Sequence, residues 1–412
     1  NHHWDGKKKF FSKKGQFKTG LLDKILADLK KVNATFTIVD NRKIDHTHKN
    51  YDFPNINYYD YQEKTIKESL KRRRLVIKAP TAAGKTIIMA GLIKALRGRK
   101  MLLLFNAKQL LTQTYEFLQS VGIEDLGICF SEGFIQGDIM LCTIQSIEKV
   151  LDTHLDTEVL MVDECHEFSN GKTTVAAIQS FPNANYRYGF TATPPNDNIP
   201  KHNLEGGLGS IYSVATTKEL VDKGKLTKPI IQIIKRPYTA NYEDETMSYL
   251  DIYEQFIVNN ISRNNTIKEI VNDIKNKNKR ARILILTKAL THGRTLEDLL
   301  GGNCEFLQGC DSIGDRYKAI SRFRGCRGPS ILIGTKILQT GINIEEITHL
   351  INARGMKSEI ATIQALGRAL RKHETKDKVY IYDFYDQEKY LLKHSKERKK
   401  HYKAEGHEVK TL

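Results

Sequence analysis

The stretch "LVIKAPTAAGKTIIMAGLIKAL", residues 75–96, passes from an apolar run through a loop of small residues into an apolar helical pattern. Val and Ile favour a buried strand, whereas the Ala, Met and Leu residues beyond Gly84 favour a helix. Between them lies Ala79-Pro80-Thr81-Ala82-Ala83-Gly84-Lys85-Thr86. Small residues let backbone N–H groups converge on phosphate oxygens, and the helix that follows turns its positive end toward the same point. In such a loop Lys85 reaches the β and γ phosphates, and the Thr86 hydroxyl ligates magnesium. Ala79 stands where the strict pattern has glycine. A chance Gly-Lys-Thr at a helix start is the competing reading, and the strand–loop–helix context argues against it. Residues 79–86 are the expected ATP site, with Mg2+ as the accompanying ion.

Similar apolar runs recur at 100–106, 138–143, 159–164 and 186–192, and again at 282–287, 330–335, 349–354 and 378–384, separated by helical periods. Runs of this kind imply βαβ units and parallel sheets buried on both faces. A chain of 412 residues exceeds one ordinary core. The expected fold is therefore α/β, with two tandem domains behind a small N-terminal α+β module. In that module, residues 6–20 read as a basic hairpin turning near Lys14-Gly15, 20–31 as an amphipathic helix and 35–40 as a strand. Residues 223–246, with two prolines and little helical pattern, mark the expected boundary. The division expected is 1–55, 56–228 for ATP binding, 229–386 for the second domain, and 387–412 as a basic helical tail.

The net charge of +17 calls for an anionic partner, nucleic acid above all, with solubility alone as the blander reading. The six cysteines include no C-x-x-C pair, which argues for reduced thiols and against a structural zinc site. No apolar run approaches the ~18 residues of a membrane span. The opening "NHHWDG" has no signal-like core, so a cytoplasmic chain is expected (host cytoplasm if phage-encoded), with the completeness of the first module left open.

"LMVDECHEF", 160–168, puts Asp163 at the end of an apolar strand, the sheet edge where ligands gather. Asp163 is the expected magnesium residue and Glu164 the base for the attacking water. A zinc reading of Cys165-His166 needs two further ligands, and none is nearby in sequence. In "IATIQALGRALRKH", 360–373, Gln364, Arg368 and Arg371 recur at intervals of four and three, which places them on one helix face. A guanidinium neutralises charge spreading over a γ-phosphate; a solvated or nucleic-acid-binding helix face is the alternative.

Taken together, "APTAAGKT" and "VDECH" resemble motifs I and II of the superfamily 2 helicases, the second in DEAH-like form. "YYDYQEKTIKESL" (58–70) is similar to the segment before motif I, "FNAKQLLTQ" (105–113) to motif Ia, "TIQS" (143–146) to motif Ic and "GFTATP" (189–194) to motif III. "ILILTKALTHG" (283–293), "ILIGTKILQTGINI" (331–344) and "QALGRALRKH" (364–373) resemble motifs IV, V and VI. The resemblance runs from Tyr58 to Phe384 and implies two RecA-like P-loop domains that hydrolyse ATP to move on nucleic acid. It implies Gln62 as adenine reader, Gly341 at the nucleotide, and His166, Thr191 and Thr193 as coupling residues. Arg368 and Arg371 become arginine fingers, with Gln364 near the γ-phosphate or its water. Asn106, Lys108, Gln145, Ser146, Lys288 and Thr335 become nucleic-acid contacts.

Residues 4–25 and 340–386 further resemble the UvsW-like family of phage recombination and repair helicases. That implies a monomeric DNA helicase for branched or forked duplex, acting in branch migration, fork reversal and R-loop unwinding. Lys7, Lys8, Lys9, Lys13 and Lys14 would track phosphates while the interleaved Phe residues stack on bases or pack the module's own core. Two alternatives remain: an RNA helicase, and a non-catalytic nucleic-acid-binding protein with a degenerate motor. Against the second stand Lys85, Thr86, Asp163, Glu164, Arg368 and Arg371, all present.

Overall fold

The structure, a computed structural model, describes residues 9–41, 47–170, 172–235, 247–335, 344–357, 367, 369–374 and 376–412. It divides into two compact units, Asn1–Ala215 and Thr216–Leu412. In the first, strands β1 (Arg74–Lys78), β2 (Met101–Phe105), β3 (Leu126–Phe130), β4 (Gly133–Ile135), β5 (Ile139–Thr143), β6 (Val159–Val162), β7 (Tyr186–Thr191) and β8 (Ser210–Ser213) form one sheet. Their order is β4-β3-β5-β2-β6-β7-β1-β8, and only β3–β4 pairs antiparallel. Every residue of β2, β5, β6 and β7 is buried, as a sheet covered on both faces requires.

The N-terminal hairpin forms: Ser12 N–H donates to the Gln16 carbonyl at 2.9 Å, Gly15 takes φ +74°, and Phe11 bridges Phe17. It continues into the helix Leu22–Lys31, and both belong to the first unit. A Cβ on Gly20 would lie 2.0 Å from the Glu205 carbonyl oxygen, so only glycine permits this seat on the helix Asn198–Leu208. Residues 35–40 form no strand. Phe36 and Ile38 are exposed, and the alternation finds no sheet edge to pair with among the described residues.

In the second unit β9 (Lys228–Lys235), β10 (Arg282–Leu286), β11 (Cys304–Leu307), β12 (Ser330–Gly334), β13 (His349–Asn352), β14 (Lys378–Tyr385) and β15 (Val409–Thr411) pair throughout in parallel. The order is β11-β12-β10-β13-β14-β9-β15. The division between units falls after Ala215, earlier than the expected 223–246, because β9 lies within that stretch and pairs with β14 over its whole length. Nor is 387–412 a detached tail. The helix Leu391–Ala404 leads into β15, which pairs with β9.

Charge fastens that helix to the sheet. Arg398 Nε lies 3.1 Å from Asp383 Oδ2, and Arg263 Nε lies 2.9 Å from Asp386 Oδ1, all four side chains fully buried. Tyr402 donates to Asp383 at 2.8 Å, and Arg398 donates to the carbonyls of Met356 and Phe384. Removing one partner of such a network strands a buried charge at a cost of about 3–5 kcal/mol. Arg398→Met is therefore expected to lose about 3–5 kcal/mol in urea unfolding, read by hydrogen exchange at the β13 and β14 amides. Arg322→Met, which breaks the exposed Arg322–Glu305 pair, should leave those amides unchanged. Equal protection in both variants would refute the network's role.

Candidate nucleotide site and the loops around it

β1 hands the chain to the phosphate loop under tight control. Ala79 N–H donates to the Thr191 carbonyl at 3.0 Å, extending the β1–β7 ladder one residue past β1. Ala83 N–H returns to the Pro80 carbonyl at 3.1 Å. Ala82 and Gly84 both adopt left-handed backbone, φ +71° and +77°. For Ala82 that conformation costs about 1–2 kcal/mol. At Gly84 a side chain has no space, since a Cβ would meet Gln62 Nε2 at 2.3 Å. The helix Lys85–Ala95 starts at this point, with its N-terminus at the loop.

Gln62 is buried, and both ends of its amide are engaged within the protein. Nε2 donates to the Ala83 carbonyl at 3.1 Å, and Oε1 accepts from Tyr59 N–H at 2.9 Å. Tyr61 donates to the same Ala83 carbonyl at 3.1 Å. In this arrangement Gln62 braces the loop, beside the adenine-reading role that the resemblance implies for it.

Lys85 Nζ stands 3.5 Å from Glu164 Oε1. Asp163 N–H donates to the Leu104 carbonyl at 2.9 Å, which holds Asp163 just past the end of β6. Burial pushes the Asp163 carboxyl well up, and the adjacent Glu164 anion adds to it. Burial also opposes the Glu164 anion, but Lys85 and His166 outweigh it and hold that carboxyl low. His166 Nδ1 shares a hydrogen bond of 2.9 Å with Thr191 Oγ1, and Thr193 N–H donates to the same hydroxyl at 3.1 Å. One polar chain therefore runs Lys85–Glu164–His166–Thr191–Thr193, across the loops after β1, β6 and β7.

Cys165 takes no part in it. Its Sγ faces the core under β7, where a Cβ on Gly189 would approach it to 2.8 Å. Among the described residues no group of three His, Cys, Asp or Glu side chains could hold a metal in the way zinc requires. Thr81 Oγ1, Glu164 Oε2, His166 Nε2 and Thr193 Oγ1 are all buried without a hydrogen-bond partner. Each such atom costs about 1–3 kcal/mol unless a ligand satisfies it. With Lys85 and a helix N-terminus beside them, they fit a magnesium nucleotide, for which Thr86 and Asp163 would supply the oxygen donors.

The candidate nucleic-acid residues are less uniform. Asn106 donates to the Glu167 carboxylate, and Gln145 donates to the Asn106 carbonyl at 3.5 Å. Lys108 pairs with Glu132 at 3.0 Å and lies 4.3 Å above the Phe130 ring. The Ser146 side chain is buried and accepts from Thr143 Oγ1, which leaves its backbone as the group able to meet a phosphate. Lys9, Lys13 and Lys14 are exposed on the hairpin, while Lys7 and Lys8 lie outside the described residues.

In the second unit, Lys288 is exposed above Tyr249 and Tyr253, 5.3 and 4.7 Å from their ring centroids, and Thr335 is half-buried just past β12. Gly341, Gln364 and Arg368 lie outside the described residues. Arg371 sits at a bend after the last helical residue, Ala369, and not on the helix itself. Sequence spacing carried no sign of Glu132, Glu167, Tyr249 or Tyr253, whose contacts are made by distant segments.

Two family models match the chain: "Type III restriction enzyme, res subunit" over residues 55–196, and "Helicase conserved C-terminal domain" over residues 262–373. The ATP-dependent DNA helicase uvsW of Enterobacteria phage T4 is 25% identical over 345 residues, which cover 79% of this chain and 68% of that protein. The Putative helicase 22 of a Sulfolobus islandicus filamentous virus is 22% identical over 378 residues, covering 80% of this chain and 66% of that one. The chain thus spans about two thirds of the length of these relatives. Among solved structures, S. cerevisiae Dbp5 bound to RNA and ADP BeF3 shares the fold, with a TM-score of 0.60 at 15% identity over 86% of this chain and 89% of that one.

The strain at Ala82 is open to measurement. Ala82→Gly removes about 1–2 kcal/mol of left-handed strain and adds back about 0.4–1 kcal/mol of unfolded-state entropy. The variant should melt slightly above the parent chain, whereas Gly84→Ala should melt clearly below it. A lower melting temperature for Ala82→Gly would contradict the strain argument.

Proposed function

We propose that this chain, a superfamily 2 helicase and ATP-dependent enzyme with nucleic acid as its partner, works on DNA, and on branched or forked duplex in particular. The polar chain Lys85–Glu164–His166–Thr191 carries the catalytic reading, because it joins a phosphate-binding loop to a carboxylate suited to activate water. ATP phosphates would enter the loop 79–86 and draw the Lys85 ammonium onto themselves. Glu164 then loses a principal counter-charge, its basicity rises, and it takes the proton of the attacking water. Bound at Thr86 and Asp163, magnesium supplies positive charge to the phosphates.

Through Nδ1, His166 senses Glu164 on one side and Thr191 on the other, so a change at the γ-phosphate is passed to the loop after β7. Arg371, with Arg368 and Gln364, is the proposed source of charge for the transferring phosphoryl, and Gly341 a further nucleotide contact. The working division of labour is ATP binding by residues 56–228 and completion of the motor by the second domain.

For DNA, support comes from the similarity to the phage T4 DNA helicase and from the basic hairpin, where exposed Lys9, Lys13 and Lys14 share a turn with the Phe11–Phe17 pair, whose ring centroids are 5.4 Å apart. Such a combination of cations and rings suits phosphates and unpaired bases at a branch point. Branch migration, fork reversal and R-loop unwinding follow as the proposed activities, performed by a monomer.

Lys85→Ala and Glu164→Gln should each lower ATP turnover by about 100-fold or more and leave DNA affinity within a few-fold. Turnover should be stimulated most by forked DNA, less by linear duplex and least by single-stranded RNA. Stimulation by RNA alone would overturn the DNA assignment. Parental turnover in both variants would overturn the site.

A further inference from the structure

Lys376 is a buried lysine that the nucleotide chemistry described above does not use. It follows a tight turn in which its own N–H returns to the His373 carbonyl at 3.1 Å. Its ammonium points inward and donates to two backbone carbonyls, Ile347 at 2.9 Å and Ala369 at 3.0 Å. Ile347 lies three residues past the segment that resembles motif V, and Ala369 lies within the segment that resembles motif VI. The next two carbonyls are also taken: Thr227 N–H donates to Leu370 at 2.8 Å, and Thr227 Oγ1 donates to Arg371 at 3.1 Å. The carbonyls of three successive residues, Ala369 to Arg371, are thus held by side chains and backbone from distant segments. A charged amine in a site that is 92% shielded is a costly way to hold two carbonyls, and an apolar residue would pack there more cheaply.

We propose that Lys376 and Thr227 are positioning residues for ATP turnover, holding the backbone of Ala369–Arg371 so that the Arg371 guanidinium is presented in one fixed place. The inference rests on Arg371 acting at the transferring phosphoryl. Small displacements of such a group are enough to lower turnover by orders of magnitude without altering nucleotide binding. The clamp is also titratable. Burial lowers the Lys376 pKa to about 8; Glu345 and Glu346 favour its charge from one side, and Arg371 opposes it from the other. Glu346 is itself paired with Arg324 at 3.2 Å. On losing its proton the amine keeps N–H donors but forfeits the charge that makes both bonds strong.

The sign of the pH effect separates positioning from plain stability. A lysine whose folded pKa lies below its unfolded one adds stability as pH rises through that interval. Between about pH 7 and 9 the fold should therefore hold or gain in melting temperature while kcat falls.

The test measures ATP kcat and KM, with saturating forked DNA, for the full chain and for Lys376→Met, Thr227→Val and Arg371→Ala, each from pH 6.5 to 9. Lys376→Met is expected to lose at least about 10-fold in kcat with KM for ATP within two-fold, and to lose the fall near pH 8. Thr227→Val, which keeps shape and removes one hydrogen bond, should lose a few-fold in kcat at temperatures well below a slightly lowered melting temperature. Parental kcat in Thr227→Val and Lys376→Met, or losses that track melting temperature, would overturn the clamp. If Lys376→Met does not fold, Thr227→Val and the parent's pH profile decide the matter alone. Parental kcat in Arg371→Ala would instead overturn the role of Arg371 on which the clamp rests.

Discussion

Parallel pairing obliges each strand to be followed by a return across one face of the sheet. Both faces are thereby covered, and the ends of the strands are left as the places where polar groups can gather. Fourteen of the fifteen strands among the described residues pair only in parallel or join such a ladder, β4 being the exception. The phosphate loop, Asp163-Glu164 and Thr191-Thr193 lie at the C-terminal ends of β1, β6 and β7, three neighbours in that sheet. No separate device is needed to assemble them. The order of strands does it, and hydrogen bonds such as Ala79 to Thr191 adjust the result.

The same covered sheets explain where the buried arginines are spent. Arg187 at the start of β7 donates to the carbonyls of Ala184, Ile178 and Phe181, and Arg282 at the start of β10 donates to those of Gly328, Arg324 and Cys326. Each satisfies turn carbonyls at the strand end opposite to the chemistry, where water is excluded. A guanidinium has five donors in a rigid fork, so one residue can close a turn that would otherwise leave several acceptors bare. Arg263 and Arg398 do related work at the other edge but need carboxylates, because Asp383 and Asp386 are buried there with them.

Much of this was legible in the chain itself. The apolar runs that became β1, β2, β5, β6, β7, β10, β12 and β13 are continuous because those strands lie inside, and continuity is visible without a partner; β14 alternates instead and was legible from its β-rich composition. The phosphate loop and Asp163-Glu164 were legible because their chemistry is local: consecutive residues at one strand end. Strands at the margins were not. β8 is only half-buried, and the apolar stretch of β9 alternates between buried and half-buried positions behind a lysine and a proline that give it the look of a linker. Residues 35–40 show the reverse failure, a strand-like alternation to which the fold offers no edge. The bracing contacts of Gln62 were not legible for a different reason. Its amide could read a base or brace a loop, and only its distances to Tyr59 and Ala83 decide which bonds it makes. The burial of the Ser146 side chain was not legible because sequence gives no side-chain direction within a short 3-10 turn.

β9 has a consequence for how the chain is made. Both of its sheet neighbours, β14 and β15, begin more than 140 residues after it ends. At roughly 5–20 residues per second of synthesis, β9 waits on the order of ten seconds or more before either edge can be satisfied. During that interval "PIIQII" is a bare apolar segment of the kind that pairs with other chains. Lys223, Lys225 and Lys228 precede it, Lys235 follows it, and Pro229 blunts its first turn. The basic, proline-bearing composition that resembles a linker is thus a guard on a strand that must stay unpaired until the end of the chain arrives.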